Sequence, residues 1–298
     1  MTNRILLIDF MSLAHTTKFA LAKTKLSKGE ESTFIIYGFF LKLNFLLKKT
    51  RANQVVFALD SKTSKRKELY PEYKAKRKQS KTPAQIKLDK LAYPQFTKLT
   101  DEILPEIGYR NLFSVDGLEA DDIIGSICKQ NKNDQIIIVS SDKDMYQLLT
   151  NNVCMISPST NKYYTISDFR NEYHIEPKIW KRVKSLGGCS SDQISGVPIP
   201  PKDKTKRQTH VGEKGALNYL TGKMKPNTKA FKAIESRAGK DVINRNKALV
   251  ILPFRGTPTF AIRPDHLKYK KFLDICENLG FKSILANPET WKSILKLR

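Results

Sequence analysis

The sequence predicts an α/β fold in which a mostly parallel central sheet is flanked by helices. Three apolar runs carry the prediction: Arg4 to Phe10 (RILLIDF), Gln54 to Leu59 (QVVFAL) and Gln135 to Ser140 (QIIIVS). Each is short and apolar at both parities, as a strand buried on both faces is. Stretches of helical period lie between them, at Thr33 to Lys49, Pro94 to Ile107 and Glu119 to Lys129. Strands that alternate with helices favour a parallel sheet. Asn111 to Ser114 and Val153 to Ser157 read as two further strands.

The domain plan has two parts. Residues 1–180 form the α/β core, with an excursion at about 62–98 that is thick with Lys and Arg and reads as a basic arch. Residues 181–298 form a C-terminal helical segment, with helices at Lys214 to Thr221, Lys229 to Ala238 and Val242 to Val250 and a small helical tail from Pro264. A basic insertion at about 198–210 (PIPPKDKTKRQT) interrupts this segment, and its prolines predict an exposed loop. No internal repeat is visible.

Composition narrows the function class. The chain has 298 residues, 40% of them hydrophobic, enough for a sizeable core. Lys and Arg number 53 against 29 Asp and Glu, a net charge of +24. A polyanionic partner is the simplest reason for such an excess, and a generally Lys-rich composition is the plain alternative. Mean hydropathy is −0.43 and no apolar run reaches the length of a membrane span. No signal-peptide pattern follows Met1, so the expectation is a cytoplasmic protein without a membrane partner. Cys128, Cys154, Cys189 and Cys276 are scattered, without CxxC spacing. His15, His174, His210 and His266 are isolated, and neither HExxH nor a GxxxxGK[ST] loop occurs.

The acids point to a site. Asp9, Asp60 and Asp142 follow three apolar strands. In a parallel sheet the carboxyl ends of the strands share one edge, so these acids converge there. Glu119, Asp121 and Asp122 precede an apolar helix, and Asp144 and Asp192 sit in later Ser-Asp motifs. Singly, each has a structural alternative: a helix cap, or an acid complementing the helix dipole. Together they repel one another unless a cation is present. Hard oxygen ligands suit Mg²⁺ or Mn²⁺.

At this point the residues resemble a known family. Leu7-Ile8-Asp9, Ala58-Leu59-Asp60, Glu72-Tyr73-Lys74 with Arg77, Gly117-Leu118-Glu119-Ala120-Asp121-Asp122, Ser141-Asp142-Lys143-Asp144 and Ser190-Ser191-Asp192 occur in that order. The chain resembles the PIN-like 5′-nuclease family of flap endonucleases and 5′→3′ exonucleases, including the free-standing phage and bacterial types related to phage ribonuclease H. The resemblance covers about residues 4–255. It implies two metal ions, with Asp9, Asp60, Glu119 and Asp121 around the first and Asp122, Asp142, Asp144 and Asp192 around or near the second. It implies that Tyr73 offers a stacking face and that Lys74 and Arg77 hold the scissile phosphate. Arg66 and Lys76 are expected to bind nucleic acid in the same basic tract.

Two departures qualify the resemblance. Cys189 stands where the family has a carboxylate of the second metal site, which weakens that site for Mg²⁺. The basic insertion separates Gly196-Val197-Pro198 from His210-Val211-Gly212-Glu213-Lys214-Gly215, where the family runs directly into a helix–hairpin–helix turn. Either Gly212, Lys214 and Gly215 or the insertion's Lys202, Lys204, Lys206 and Arg207 would anchor duplex phosphate.

The expected function is phosphodiester hydrolysis near 5′ ends by water, with Mg²⁺ or Mn²⁺ and no side-chain nucleophile. Expected partners are DNA with 5′ flaps, nicks or ends and RNA–DNA primers, with a single-strand-binding protein or clamp as protein partner. A monomer is expected, in the host cytoplasm if phage-encoded. The rival readings are a PIN-type ribonuclease and a non-catalytic DNA-binding scaffold.

Overall fold

The structure is a computed structural model that describes residues 3–20, 26–29, 31–77, 81–201 and 207–295. Chain order begins with β1 (Arg4–Asp9), α1 (Phe10–Ala20) and a short pair, β2 (Ser27–Lys28) and β3 (Glu31–Ser32). Then follow α2 (Phe34–Thr50), β4 (Gln54–Ala58), α3 (Lys65–Leu69), α4 (Pro83–Lys98), α5 (Leu104–Ile107), β5 (Leu112–Phe113), α6 (Ala120–Gln130) and β6 (Gln135–Val139). A six-stranded sheet has the order β5-β4-β1-β6-β7-β8, with β7 at Val153–Ile156 and β8 at Tyr163–Tyr164. The first five strands are parallel and β8 pairs antiparallel with β7. The mostly parallel sheet expected from the sequence is present.

Side-chain alternation divides the core into two layers. Leu6 and Ile8, Val55 and Phe57, and Ile137 and Val139 face one cluster with α1, α2 and α4. Ile5 and Leu7, Val56 and Ala58, and Ile136 and Ile138 face the other with α6. Both faces of the central strands are therefore buried, which is why these runs lack polar alternation. β1 lies between β4 and β6, so the chain reverses its direction of sheet growth beside β1. Crevices form at such a reversal, at the carboxyl ends of the strands.

Several boundaries differ from expectation. The helix expected from Pro94 begins at Pro83 instead, because Thr82 and Gln85 form a capping box with Pro83 at the first helical position. Pro94 lies inside this helix, and a π-turn at Leu99–Ile103 joins it to α5. The expected strand at residues 111–114 shortens to Leu112–Phe113.

The C-terminal half is built from α7 (Ile166–Tyr173), α8 (Pro177–Gly187), α9 (Glu213–Leu220), α10 (Lys229–Glu235), α11 (Arg237–Val250) and α12 (Tyr269–Asn278). It shares both core clusters with the sheet. Trp180, Val183 and Ala216 join one, and Phe272, Phe281, Trp291 and Ile294 join the other. The expected boundary at 180 therefore separates no two cores. Among the described residues no helix is long and apolar enough to cross a membrane.

One buried ion pair ties the arch base to both halves. Arg66 on α3 is 3% exposed and donates to both carboxylate oxygens of Asp122 on α6, at 2.6 and 2.7 Å. The guanidinium also donates to the Leu249 carbonyl, and Asp122 accepts the Phe254 backbone N–H. Fork-to-fork pairing of this kind is strong and directional. It corrects two expectations. Arg66 is not a surface nucleic-acid contact, and Asp122 is not available as a metal ligand, because each satisfies the other in the interior. Arg66→Ala would strand a buried carboxylate and is expected to cost about 3–5 kcal/mol of unfolding free energy. Urea denaturation measures this, and a loss below about 1 kcal/mol, the range of an exposed pair, would deny the pair its bracing role.

Candidate metal centre

The sheet edge gathers the acids as its topology requires. Asp9 ends β1, Asp60 lies just beyond β4, and Asp142 follows β6. The N-terminus of α6 adds Glu119 and Asp121. These five acids line one cleft of about 350 Å³, together with Ser12, His15, Lys74 and Ser140. Asp9 accepts from the Ser12 backbone N–H and from the Ser140 hydroxyl, both at 3.0 Å. Asp60 accepts the Ala120 backbone N–H at 2.9 Å, which locks the β4 end to the start of α6. Asp142 caps the following turn by accepting the Asp144 N–H at 2.8 Å.

Charge compensation is uneven across the site. Glu119 accepts from the Tyr73 hydroxyl and from the Lys74 ammonium, each at 2.8 Å. Burial opposes ionisation of Glu119, but Lys74 and Arg66 outweigh it and hold the carboxyl below its usual range. Asp9, Asp121 and Asp142 form no ion pair among the described residues. Burial and then repulsion from Asp60 push the Asp9 carboxyl up to about 7. Burial, Asp142 and Asp9 push Asp121 well above its ordinary value. A hard divalent cation fits here, since three acids that form no ion pair among the described residues share an open, oxygen-lined cleft.

The second expected ligand group does not assemble in the same way. Asp144, Cys189 and Asp192 come together, with one ligand atom from each within 4.8 Å of the others. However, Asp144 is already paired to Lys184 at 2.8 Å, and Asp142 lines the first cleft.

The basic tract also differs from expectation. Tyr73 is 2% exposed, and its hydroxyl is spent on Glu119. It supports the site from beneath and offers no stacking face. Lys74 takes a left-handed backbone conformation (φ 54°), and its N–H donates to the Asp192 carbonyl at 2.9 Å. Lys76 is exposed, and its N–H donates to the Gln193 side chain. Arg77 ends the same short turn, Ala75–Arg77. A larger cleft of about 710 Å³ adjoins the acids and is lined by Lys18, Lys62, Lys67, Lys74 and Lys81. Asp89 on α4 clamps its rim by pairing with Lys18 on α1 and Lys81, each at 2.6 Å. Apart from Lys74, no motif marks these lysines in the sequence.

Of the duplex-anchoring candidates, Lys202, Lys204 and Lys206 lie outside the described residues. Arg207 is exposed and lines a third cleft with Lys76 and Gly212. Gly212 caps α9, with Lys214 and Gly215 in its first turn. Gly187 and Gly196 form a floor beneath that cap. A Cβ on Gly196 would fall 2.0 Å from the Val211 carbonyl, so only glycine allows this approach.

The carboxylate repulsion sets a pH dependence. Unfolded carboxyls ionise near pH 4, whereas Asp9 in the folded chain ionises at about 7. The folded chain thus holds more protons in this window, and its stability falls as pH rises through it. Saturating Mg²⁺ is expected to raise the melting temperature more at pH 8 than at pH 5, by calorimetry. Equal shifts at both values would take Asp9 and Asp121 out of a metal centre.

Comparison with known proteins follows the same lines. Residues 4–174 match the family described as 5′-3′ exonuclease, N-terminal resolvase-like domain. A 5′-3′ exonuclease of Buchnera aphidicola is 34% identical over 251 residues, covering 83% of this chain and 76% of that protein. The thermostable DNA polymerase I of Thermus thermophilus is 31% identical over 220 residues, 73% of this chain, but only 24% of the polymerase is spanned. The fold is that of a bacteriophage T5 flap endonuclease solved with DNA and metal ions (TM-score 0.67, 20% identity, 99% of this chain and 98% of that one). The catalytic core of Rad2 in complex with DNA substrate is a more distant likeness (TM-score 0.53, 16% identity, 99% and 91% covered). By a match across more than half of its length and by 34% identity to a relative of which it spans 76%, the chain belongs to the 5′-3′ exonuclease family.

Proposed function

We propose that this chain hydrolyses phosphodiesters of DNA near 5′ ends, with Mg²⁺ or Mn²⁺ as cofactor. Its substrates are 5′ flaps, nicks and ends, including RNA–DNA primers. One observation carries the reading: Asp9, Asp121 and Asp142 share a cleft and form no ion pair among the described residues, directly beside a channel lined with lysines.

Asp9, Asp60, Glu119, Asp121 and Asp142 would hold the ion. The chemistry supplied by a bound divalent ion is polarisation of the scissile phosphodiester and acidification of the attacking water. The chain's own residues do the remainder. Lys74, held at the cleft by Glu119, donates to the scissile phosphate and offsets its developing negative charge. Tyr73 and Arg66 fix Glu119 and so position Lys74. Arg77 and Lys76 at the arch base, and Lys62, Lys67 and Lys81 in the channel, guide the single strand. The N-terminus of α9 at Gly212, Lys214 and Gly215, with Arg207 beside it, holds a phosphate of the duplex.

The test offers a 5′-flap DNA, a blunt duplex and a single-stranded RNA, with Mg²⁺ and then EDTA. Flap or 5′-end cleavage that EDTA abolishes is expected. Cleavage of RNA alone would favour a PIN-type ribonuclease, and binding without cleavage a scaffold; either overturns the proposal. Asp121→Asn is expected to abolish cleavage and leave flap affinity within a few-fold, because affinity rests on the basic surface. Normal cutting by this variant would overturn the metal assignment. Lys74→Ala should lower the cleavage rate by about 10²-fold or more, the scale of a lost oxyanion donor, with a much smaller change in binding. An unchanged single-turnover rate would remove Lys74 from the reaction.

A further inference from the structure

Lys184 is the residue that the proposed reaction leaves unused. It lies on α8, where Pro177, Trp180, Val183 and Lys184 form the buried stripe. A lysine in an apolar stripe needs a partner, because burying an unpaired ammonium is costly. Its partners are the expected second metal ligands. The ammonium lies 2.8 Å from Asp144 Oδ1 and 3.8 Å from Cys189 Sγ. Lys184 and Asp144 are 8% and 7% exposed, Cys189 and Asp192 7% and 6%. The ligand atoms of Asp144, Cys189 and Asp192 lie within 4.8 Å of one another, and Nζ already contacts two of the three, Asp144 Oδ1 and Cys189 Sγ.

The donor set points the same way. Cys189 offers a soft thiol sulfur where a hard divalent ion calls for oxygen. Its Sγ lies 3.0 Å from the Ser191 hydroxyl, a neutral contact. Asp122, the remaining acid expected nearby, is locked by Arg66. Two carboxylates and a thiol, already joined by an ammonium, are a poor site for a hard divalent ion.

We propose that Lys184 replaces the second divalent cation, so that this chain holds one tight metal ion where a two-ion arrangement was expected. The thiol and the ammonium act together. A carboxylate at position 189 would add a negative charge that calls for a metal; a thiol there adds none, and the ammonium already offsets the charge of Asp144. Lys184 is therefore a positioning residue, which fixes Asp144 and the Cys189 loop against α8. This inference rests on the reading of the Asp9 cleft as the first metal site.

Metal counting without substrate tests it. Mn²⁺ titration of the whole chain, followed by the paramagnetic resonance of free Mn²⁺ and by calorimetry, is expected to give one tight ion per chain. Lys184→Met should admit a second ion about tenfold tighter or more than in the parent, and Lys184→Met with Cys189→Asp tighter still. Thermal unfolding of Lys184→Met should show a larger Mn²⁺-induced rise than the parent. Two equally tight ions in the parent would overturn the inference alone, even if the variants fail to fold. An unchanged count of one in folded Lys184→Met would also overturn it. No tight ion in the parent would overturn both the inference and the first-site reading beneath it.

Discussion

Mutual repulsion among carboxylates is the constraint around which this molecule is arranged. The sheet edge and the start of α6 bring five acids into one cleft, and Asp122, Asp144 and Asp192 lie close behind. Left alone, such a cluster would raise its own pKa values and weaken the fold. The chain distributes its internal cations unevenly in response. Arg66 neutralises Asp122, Lys184 neutralises Asp144, and Lys74 neutralises Glu119. Asp9, Asp121 and Asp142 form no ion pair among the described residues. The uncompensated set is the most informative feature of the site, because it marks where an exchangeable cation has work that no side chain performs.

The same pairs determine how the arch base is held. Arg66, Tyr73 and Lys74 come from one basic tract, and each reaches an acid of α6 or its N-cap. Backbone contacts from Lys74 and Lys76 to Asp192 and Gln193 fasten the tract to the Cys189 loop. The arch base is thus built onto the acid cluster, and its geometry is set by the charges that the cluster needs balanced. The left-handed backbone at Lys74 fits this account, since such a conformation in a non-glycine residue persists only where its surroundings over-determine it.

The fold and the first acid group were legible in the sequence for a simple reason. Apolar runs at both parities specify central strands, and the ends of parallel strands specify one edge. Asp9, Asp60 and Asp142 were therefore placed together without any knowledge of contacts. The basic tract was less legible. RKELYPEYKAKR reads as a solvated run of charge, and nothing local says that Arg66 and Tyr73 turn inward while Lys76 remains exposed. That distinction depends on Asp122 and Glu119, more than forty residues away. Asp122 was misread for the complementary reason: spacing shows that an acid is near a site but not which cation has already claimed it. Lys184 did leave a signal, as a charge on the apolar stripe of α8, and the heptad-like spacing from Trp180 would have exposed it.

A net charge of +24 and an acidic cleft look contradictory but act over different distances. At physiological salt a surface charge is screened within about 8 Å, so exposed lysines steer a polyanion from outside without fixing the potential at the cleft floor. Inside the cleft the nearest charges dominate. Lys74 is the residue where the two regimes meet, because it lines both the acid cleft and the lysine channel. Its ammonium rests on Glu119 yet faces the path of the phosphate backbone. An arriving phosphodiester and Glu119 therefore compete for the same three N–H donors, and a cation bound by the neighbouring acids weakens the hold of Glu119. In the proposed reaction, metal, Lys74 and substrate are coupled through that one carboxylate, which sits at the cap of α6 where three side chains hold it in place.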